Sequence, residues 1–378
     1  MRTRHLPRAV LPGALAIALA VSACGAVNEQ STDTASGPSV TGAAGDTPEL
    51  SGSVTGAGAS TQKVAQDAWT ATFTGNQPDV SINYSPIGSG GGTQRFGTGA
   101  VAYGGTDVPL QGSQLEQARE RCGGTDKLIE MPVYLSPIAI SYNLEGIDEL
   151  NLTPAILAKI FTGKITRWND PAITRDNTGV DLPDQRITPV HRSDDSGTTG
   201  NVTDYLQAAA GEDWPHGETE TWPSNLRGES AQGTSGVVKV TSQTPGAITY
   251  ADASQARDNP SIESAAIEVG DDFVGPTSQA AANILADSQQ TDTEGKYVQT
   301  FEINRETQAS GTYPIVLTSY AMACTEYDSE NTAAIVRGYL DHVVSKQGQQ
   351  LAAKHAGSAP IPASLRDAQQ QAIHTISG

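Results

Sequence analysis

Four turns in this chain combine hydroxyls, glycines and charged groups in a pattern suited to holding an anion. They are Gly56-Ala-Gly-Ala-Ser-Thr61, Ile87-Gly-Ser-Gly-Gly-Gly-Thr93, Tyr103-Gly-Gly-Thr-Asp-Val108 and His191-Arg-Ser-Asp-Asp-Ser-Gly-Thr-Thr199. Serine and threonine supply O–H donors, glycine lets backbone N–H groups approach closely, and arginine adds a planar charged fork. Where such a turn opens a helix, the first N–H groups lack intrahelical partners and the dipole adds positive density. Together these groups describe an oxyanion site. Each turn alone also serves as an ordinary helix cap. The fourth is the most specific, because Arg192, Ser196 and several N–H groups converge within it.

The elements that must position these turns alternate between short β-like and amphipathic helical segments. Val80-Ser-Ile-Asn-Tyr84 alternates strictly, as a half-buried strand does. Ser136–Tyr142, Ile187–Val190, Ala247–Tyr250 and Pro314–Leu317 are further strand candidates. A helix is expected over Gln62–Phe73, with Val64, Ala65, Ala68 and Trp69 on one face and Ser60 and Thr61 at its start. Thr153-Pro154 reads as an N-cap followed by proline at the first helical position, before Ile156, Leu157, Ile160 and Phe161. Val202, Tyr205, Leu206, Ala209 and Ala210 fall at helical spacing, as do Ile335, Val336, Tyr339, Leu340, Val343 and Val344. Strand, helix, strand in this order implies an α/β fold. The 378 residues suffice for two domains.

Competing chemistries fit poorly. Asp-Asp-Ser-Gly with His191 nearby superficially suggests a serine hydrolase, but five residues within one turn do not give a triad. No Gly-x-Ser-x-Gly elbow surrounds Ser89, since Ile87 stands two residues before it. Thr162-Gly-Lys-Ile lacks the first P-loop glycine and the hydroxyl after lysine. Six histidines are scattered without metal-ligand spacing, so no metal site and no cofactor is expected. The four tryptophans read as packing residues.

Several pieces, in shared order from about residue 53 to the C-terminus, resemble the periplasmic or lipoprotein phosphate-binding proteins of the PstS type. Gly56–Ser60 is similar to the family's opening GAGAS/T, and Gly88-Ser89-Gly-Gly to its glycine-rich second loop. Gly105-Thr-Asp-Val-Pro-Leu110 resembles its GxSDxPL segment, and Ile160-Phe-Thr-Gly-Lys-Ile-Thr-Arg-Trp-Asn-Asp170 its IFxGKIxxWND signature. Arg192–Thr198 resembles its RxDxSGT loop, and Gly246–Tyr250 its GxIGY segment. The resemblance implies two α/β lobes of the type II periplasmic-binding-protein-like fold, with the ligand held in the cleft between them. It places residues 51–135 and 318–378 in one lobe and 136–317 in the other, with crossings at Met131–Tyr142 and Tyr313–Tyr320.

Carried over position by position, the resemblance implies a phosphate shell. Ser60 gives its hydroxyl and N–H, Thr61 its backbone N–H, and Ser89 a hydroxyl and N–H. Arg192 is the single cationic donor, held by Asp194. Ser196 gives its hydroxyl and N–H, Gly197 its N–H, and Thr198 both its N–H and its hydroxyl. Asp107 is the discriminating member. A carboxylate repels an anion unless that anion carries a proton to donate, as hydrogen phosphate does and sulfate at neutral pH does not. Facing sulfate in a dry site, it costs several kcal/mol of unpaired, repulsive contact. The implied function is capture of inorganic phosphate outside the cytoplasm and delivery to the permease subunits of an ABC transporter, by a monomer that is not an enzyme. A secreted phosphatase using the same anion site, or a binding protein for arsenate or molybdate, are the alternatives.

Arg2, Arg4 and Arg8 precede an apolar run and then Val21-Ser-Ala-Cys24, which describes an export signal resembling a bacterial lipobox. Residues 1–23 are expected to be removed, Cys24 to carry a diacylglyceryl group at the outer face of the cell membrane, and 24–50 to form a polar tether. Membrane contact is then through the lipid alone, because the apolar run is too short to span. Export permits oxidation, which makes Cys122 and Cys324 candidates for a disulfide. Removing the three arginines takes the formal charge from −19 to −22. Such acidity excludes nucleic acid as a partner and seemingly disfavours an anionic ligand too.

Overall fold

The computed structural model describes residues 49–291 and 295–378. The signal, Cys24 and most of the expected tether lie outside the described residues. Among the described residues no helix is long and apolar enough to cross a membrane.

The first half alternates strand and helix: β1 (Gly52–Gly58), α1 (Lys63–Asn76), β2 (Val80–Ser85), α2 (Ser89–Gly97), β3 (Tyr103–Thr106) and α3 (Gly112–Cys122). The long strand β4 (Leu128–Tyr142) follows, then α4 (Pro154–Phe161), β5 (Thr188–Arg192), α5 (Gly197–Ala210), β6 (Glu229–Ala231), α6 (Gly233–Gln243) and β7 (Ala247–Asp252). The chain returns through β8 (Val316–Cys324) and ends in helices that include α7 (Glu330–Val344). The main sheet runs β2-β1-β3-β8-β4-β7-β5-β6.

β4 is the strand the two lobes share. Its first part, Leu128–Pro137, pairs antiparallel with β8, and its second part, Ile138–Tyr142, pairs antiparallel with β7. All fifteen of its residues are buried, so it carries no alternating pattern. β8 is likewise buried along its whole length and begins at Val316, after Pro314, rather than covering Pro314–Leu317 alone. Its continuation Thr-Ser-Tyr-Ala-Met-Ala-Cys gives no two-residue period, because both faces meet protein.

Two local expectations need correction. Tyr103–Thr106 is not a turn but a central strand, between β1 and β8. Its glycines serve close packing: a Cβ on Gly104 would lie 2.5 Å from Met322 Cε, and one on Gly58 of β1 2.0 Å from Gly105 O. The first helix runs Lys63–Asn76, one residue later at its start than expected and three residues longer at its end, with Ser60 and Thr61 in the turn that leads into it. Elsewhere local chemistry acts as read from sequence. Thr153 caps α4 by accepting from Ile156 N–H at 3.2 Å, with Pro154 at the first turn.

Each lobe has an aromatic core. In the first, Trp69 and Phe73 of α1 are buried, and the Phe73 ring meets Tyr339 of α7 edge-on at 5.5 Å. In the second, Trp222 packs against Phe161 at 5.5 Å and Tyr250 at 5.7 Å. Burying each such ring contributes about 2–3 kcal/mol. At the rim of the first lobe, Cys122 ends α3 and Cys324 ends β8, and the two are joined by a disulfide with Cα atoms 5.1 Å apart. The bridge closes a loop of sequence separation 202. Loops of this length favour a large effect on the unfolded chain, and losing the bond should cost about 2–5 kcal/mol. We therefore expect reduction to lower the melting temperature by several degrees and to add two hydrogens by mass. An unchanged melting temperature with two thiols already free before reduction would contradict this.

Candidate functional site

Every residue singled out for the anion shell is buried: Ser60, Thr61, Ser89, Asp107, Arg192, Ser196 and Thr198 all lie at 5% exposure or less. They come from four strand ends. Ser60 and Thr61 follow β1, Asp107 follows β3, Ser89 opens α2 after β2, and the Arg192–Thr198 turn joins β5 to α5. Parallel strands followed by helices bring such turns to one edge of the sheet, where ligand crevices form.

The second and fourth turns face each other. Gly88 adopts φ +95° and aims Ser89 into the cluster; a Cβ there would lie 2.5 Å from Asp194 Oδ2. A Cβ on Gly197 would lie 2.7 Å from both Ser89 Oγ and Asp107 Cβ. Only glycine permits this approach of the two loops. Gly90 N–H donates to Asp195 O at 3.3 Å across the contact. The positive ends of α2 and α5 therefore meet at one point.

Arg192, 2% exposed, is fixed on its own turn. Its Nε donates to Asp194 Oδ1 at 2.8 Å, and its Nη2 pairs with Asp194 Oδ2. Gly233 N–H adds a donor to Asp194 Oδ1 at 3.0 Å. Burial works to raise the Asp194 pKa, but hydrogen bonding and charge from Arg192, with the Gly233 N–H, outweigh it and leave a depressed value. Arg192 Nη1 donates to Thr198 Oγ1 at 3.3 Å, and Thr198 Oγ1 donates onward to Asp107 Oδ2 at 3.4 Å.

Asp107, 2% exposed, sits at the centre. Its Oδ1 accepts from Thr61 Oγ1 at 2.7 Å and from Ser319 Oγ at 2.6 Å. Burial raises its pKa; the Ser319 and Thr61 hydroxyls, the Arg192 charge and the Thr198 hydroxyl pull it back only in part. Asp107 N–H donates to Ser89 Oγ at 3.0 Å, which leaves the Ser89 proton free to point elsewhere. The Thr61 hydroxyl is committed to Asp107, so only its main chain can serve an anion.

Other donors are similarly arranged. Ser196 Oγ caps α5 by accepting from Thr199 N–H at 3.3 Å and keeps its own proton. Gly197 and Thr198 open the helix, so their N–H groups have no intrahelical partner. The Ser196 N–H, expected to face the ligand, instead donates to Glu220 O at 3.0 Å, because the 220 segment runs beside the turn. Ser60 Oγ accepts from Thr234 N–H at 3.1 Å and lies 3.0 Å from Thr234 Oγ1, so the start of α6 closes over the first turn.

Sequence reading missed Ser319, Gln62, Thr234 and Asn201. Asn201 Nδ2 donates to Asp107 O at 2.7 Å, and Arg305 ties Asn201 to the carbonyls of Pro314 and Val316 at the return crossing. A serine inside the apolar run Ile315–Met322 was the available signal for Ser319, since a polar group there must have a partner. His191 is not paired with Ser196. Its ring stacks on Trp222 at 5.0 Å, and its Nδ1 lies 2.9 Å from Arg192 O. Among the described residues no group of three or more His, Cys, Asp or Glu is placed to hold a metal.

Comparison with known proteins places this geometry in a family. The PBP superfamily domain matches residues 33–347. The chain is 32% identical over 363 residues to the phosphate-binding protein PstS3 of Mycobacterium bovis, covering 95% of this chain and 96% of that one. It is 35% identical over 238 residues to the phosphate-binding protein PstS of Xylella fastidiosa, covering 61% of each. Among solved structures, a high-affinity periplasmic phosphate-binding protein bound with phosphate, PfluDING, superposes with TM-score 0.65 at 20% identity, covering 84% of this chain and 92% of that one. A putative phosphate ABC transporter substrate-binding protein from Clostridium perfringens gives TM-score 0.57 at 19% identity, covering 81% and 98%. These structures share the two-lobed α/β fold. The chain belongs to the PstS-type phosphate-binding proteins of the PBP superfamily.

Proposed function

We propose that the protein binds inorganic phosphate outside the cytoplasm and delivers it to the permease of an ABC transporter. The observation that carries this reading is a carboxylate at the centre of an anion site: Asp107 is buried among hydroxyl donors and linked through Thr198 to Arg192. A fully deprotonated oxyanion meets Asp107 lone pair to lone pair, whereas hydrogen phosphate donates its proton to Oδ2. The family's relatives, named for phosphate binding, support the same ligand.

Ser60, Ser89 and Ser196 would donate through their hydroxyls, and Thr61, Gly197 and Thr198 through N–H groups, with Arg192 supplying the charge. A ligand held by both the first three turns and the Arg192 turn favours the closed arrangement of lobe 1 (51–135 and 318–378) on lobe 2 (136–317). Closure is then what a permease reads. We read the role as binding rather than hydrolysis; His191 is turned toward Trp222 and the Arg192 carbonyl and does not pair with Ser196. Cleavage before Cys24 and acylation of its sulfur would keep a monomer tethered at the outer membrane face, in keeping with the export signal.

Calorimetry at neutral pH should give phosphate affinity in the micromolar range or tighter, about −8 kcal/mol or beyond. Sulfate should bind far more weakly than phosphate, and equal affinity for the two anions would overturn the reading. Arg192→Ala removes the only cation in the shell and should weaken phosphate by about 3 kcal/mol, the largest loss among single changes in the shell. Asp107→Asn replaces an acceptor with a group that can donate, so sulfate binding should appear. A phosphate-to-sulfate ratio unchanged by Asp107→Asn would show that the carboxylate does not discriminate.

A further inference from the structure

A chain of buried side chains runs from the core of the first lobe to Asp107, and every hydrogen bond in it points the same way. Tyr339 O–H donates to Gln66 Oε1 at 2.6 Å. Gln66 Nε2 donates to Gln62 Oε1 at 2.9 Å, and Gln62 Nε2 donates to Ser319 Oγ at 2.7 Å. Ser319 Oγ then donates to Asp107 Oδ1 at 2.6 Å. All five residues are at most 5% exposed, so no solvent interrupts the series.

The direction is fixed by groups that flank the two amides. Gln66 Oε1 faces two phenols, Tyr339 at 2.6 Å and Tyr103 at 3.5 Å, and burial raises the pKa of both well into the range where they stay protonated donors. Its Nε2 must then face Gln62. The second N–H of Gln62 Nε2 meets Tyr320 O at 3.3 Å. Turning that amide over would set Gln62 Oε1 against a backbone carbonyl, lone pair to lone pair. Ser319 Oγ thus accepts a hydrogen bond from Gln62 and has its own hydroxyl hydrogen to donate. Asp107 Oδ1 is nearer than the alternative acceptor, Thr106 O at 3.2 Å, and it carries charge.

Resting on the phosphate reading above, we infer that Ser319 is a specificity-determining positioning residue, held by the Tyr339–Gln66–Gln62 series. With Thr61 it occupies both lone-pair directions of Asp107 Oδ1 and holds the carboxylate as an acceptor. Only Oδ2 is left to meet the ligand, and a proton on the ligand is the group it selects. Bonds of this kind polarise one another along the series, so the whole chain of donors sustains the ionised form. The relay turns a buried carboxylate, which would otherwise protonate and then donate to any oxyanion, into a group that refuses sulfate.

The test is made on the whole folded protein with Ser319→Ala and, one step further back, Gln62→Met. Removing a donor to the charged form disfavours it, so Asp107 should titrate higher. In ligand-free protein, the carbon-13 carboxyl signal of Asp107 should move its midpoint upward by about one pH unit in Ser319→Ala and by less in Gln62→Met. The phosphate-to-sulfate affinity ratio of Ser319→Ala should fall about tenfold as pH is lowered through the carboxyl's own midpoint, read from the same titration, and recover as pH rises. Ser319→Thr, which keeps the hydroxyl, should retain the original ratio. If both variants keep the parent midpoint and lower affinity for the two anions alike, Ser319 merely packs and the inference is overturned. Failure of the phosphate reading looks different: the unaltered protein would bind both anions equally, whatever the ligand-free titration shows.

Discussion

A carboxylate buried at the focus of the proposed anion site is the constraint on which the rest of the structure depends. An isolated carboxylate at 2% exposure would protonate. Asp107 is instead surrounded by three hydroxyl donors and stands one threonine away from a guanidinium. Arg192 in turn is held by Asp194, so the cation does not collapse onto Asp107 and neutralise it directly. Two acidic residues share one arginine in different roles: Asp194 orients it, and Asp107 is left with an oxygen to offer. In the proposed function, this separation would let a site with one cation and one anion distinguish oxyanions by their protons rather than by charge.

The architecture serves that arrangement. Asp107 leaves β3, a strand whose glycines allow it to lie tightly between β1 and β8. Ser319 comes from β8, which also pairs with the shared strand β4. One donor to Asp107 Oδ1, Ser319, is therefore built into the sheet, and the other, Thr61, stands in the turn that follows β1. The Arg192 turn and the starts of α5 and α6 lie beyond the point where β4 changes partners. Bonds such as Thr234 to Ser60 and Gly90 to Asp195 join the two parts around the site. Arg305 extends the link to the return crossing, through Asn201 and the Pro314 and Val316 carbonyls. Site and crossing are thus mechanically connected.

How much of this was legible in the sequence depended on distance along the chain. The Arg192–Thr198 turn could be read because its donors are contiguous, and α4 because Thr153-Pro154 is a local signal. Ser319 and Gln62 could not, since their partners stand 212 and 257 residues away; a serine within Ile315–Met322 signals that it needs a partner but not which one. β3 reads as a turn in sequence because glycine usually marks one; here the glycines make room for neighbouring side chains, Met322 and Phe96 at Gly104, Tyr84 and Gln62 at Gly105. β4 and β8 lacked alternation because a strand buried on both sides has no polar face to show. The acidity of the whole chain, which seemed to oppose an anionic ligand, proves a poor guide to a buried site. Surface fields decay over about 8 Å at physiological salt, whereas the ligand answers to groups in contact with it.

The central claim concerns two protons, and neutron crystallography of the phosphate complex would locate both. The account predicts hydrogen between Asp107 Oδ2 and a phosphate oxygen, with the Ser319 hydrogen directed at Asp107 Oδ1. Phosphate bound without contact to Oδ2, or a Ser319 hydrogen directed at Thr106 O, would contradict it.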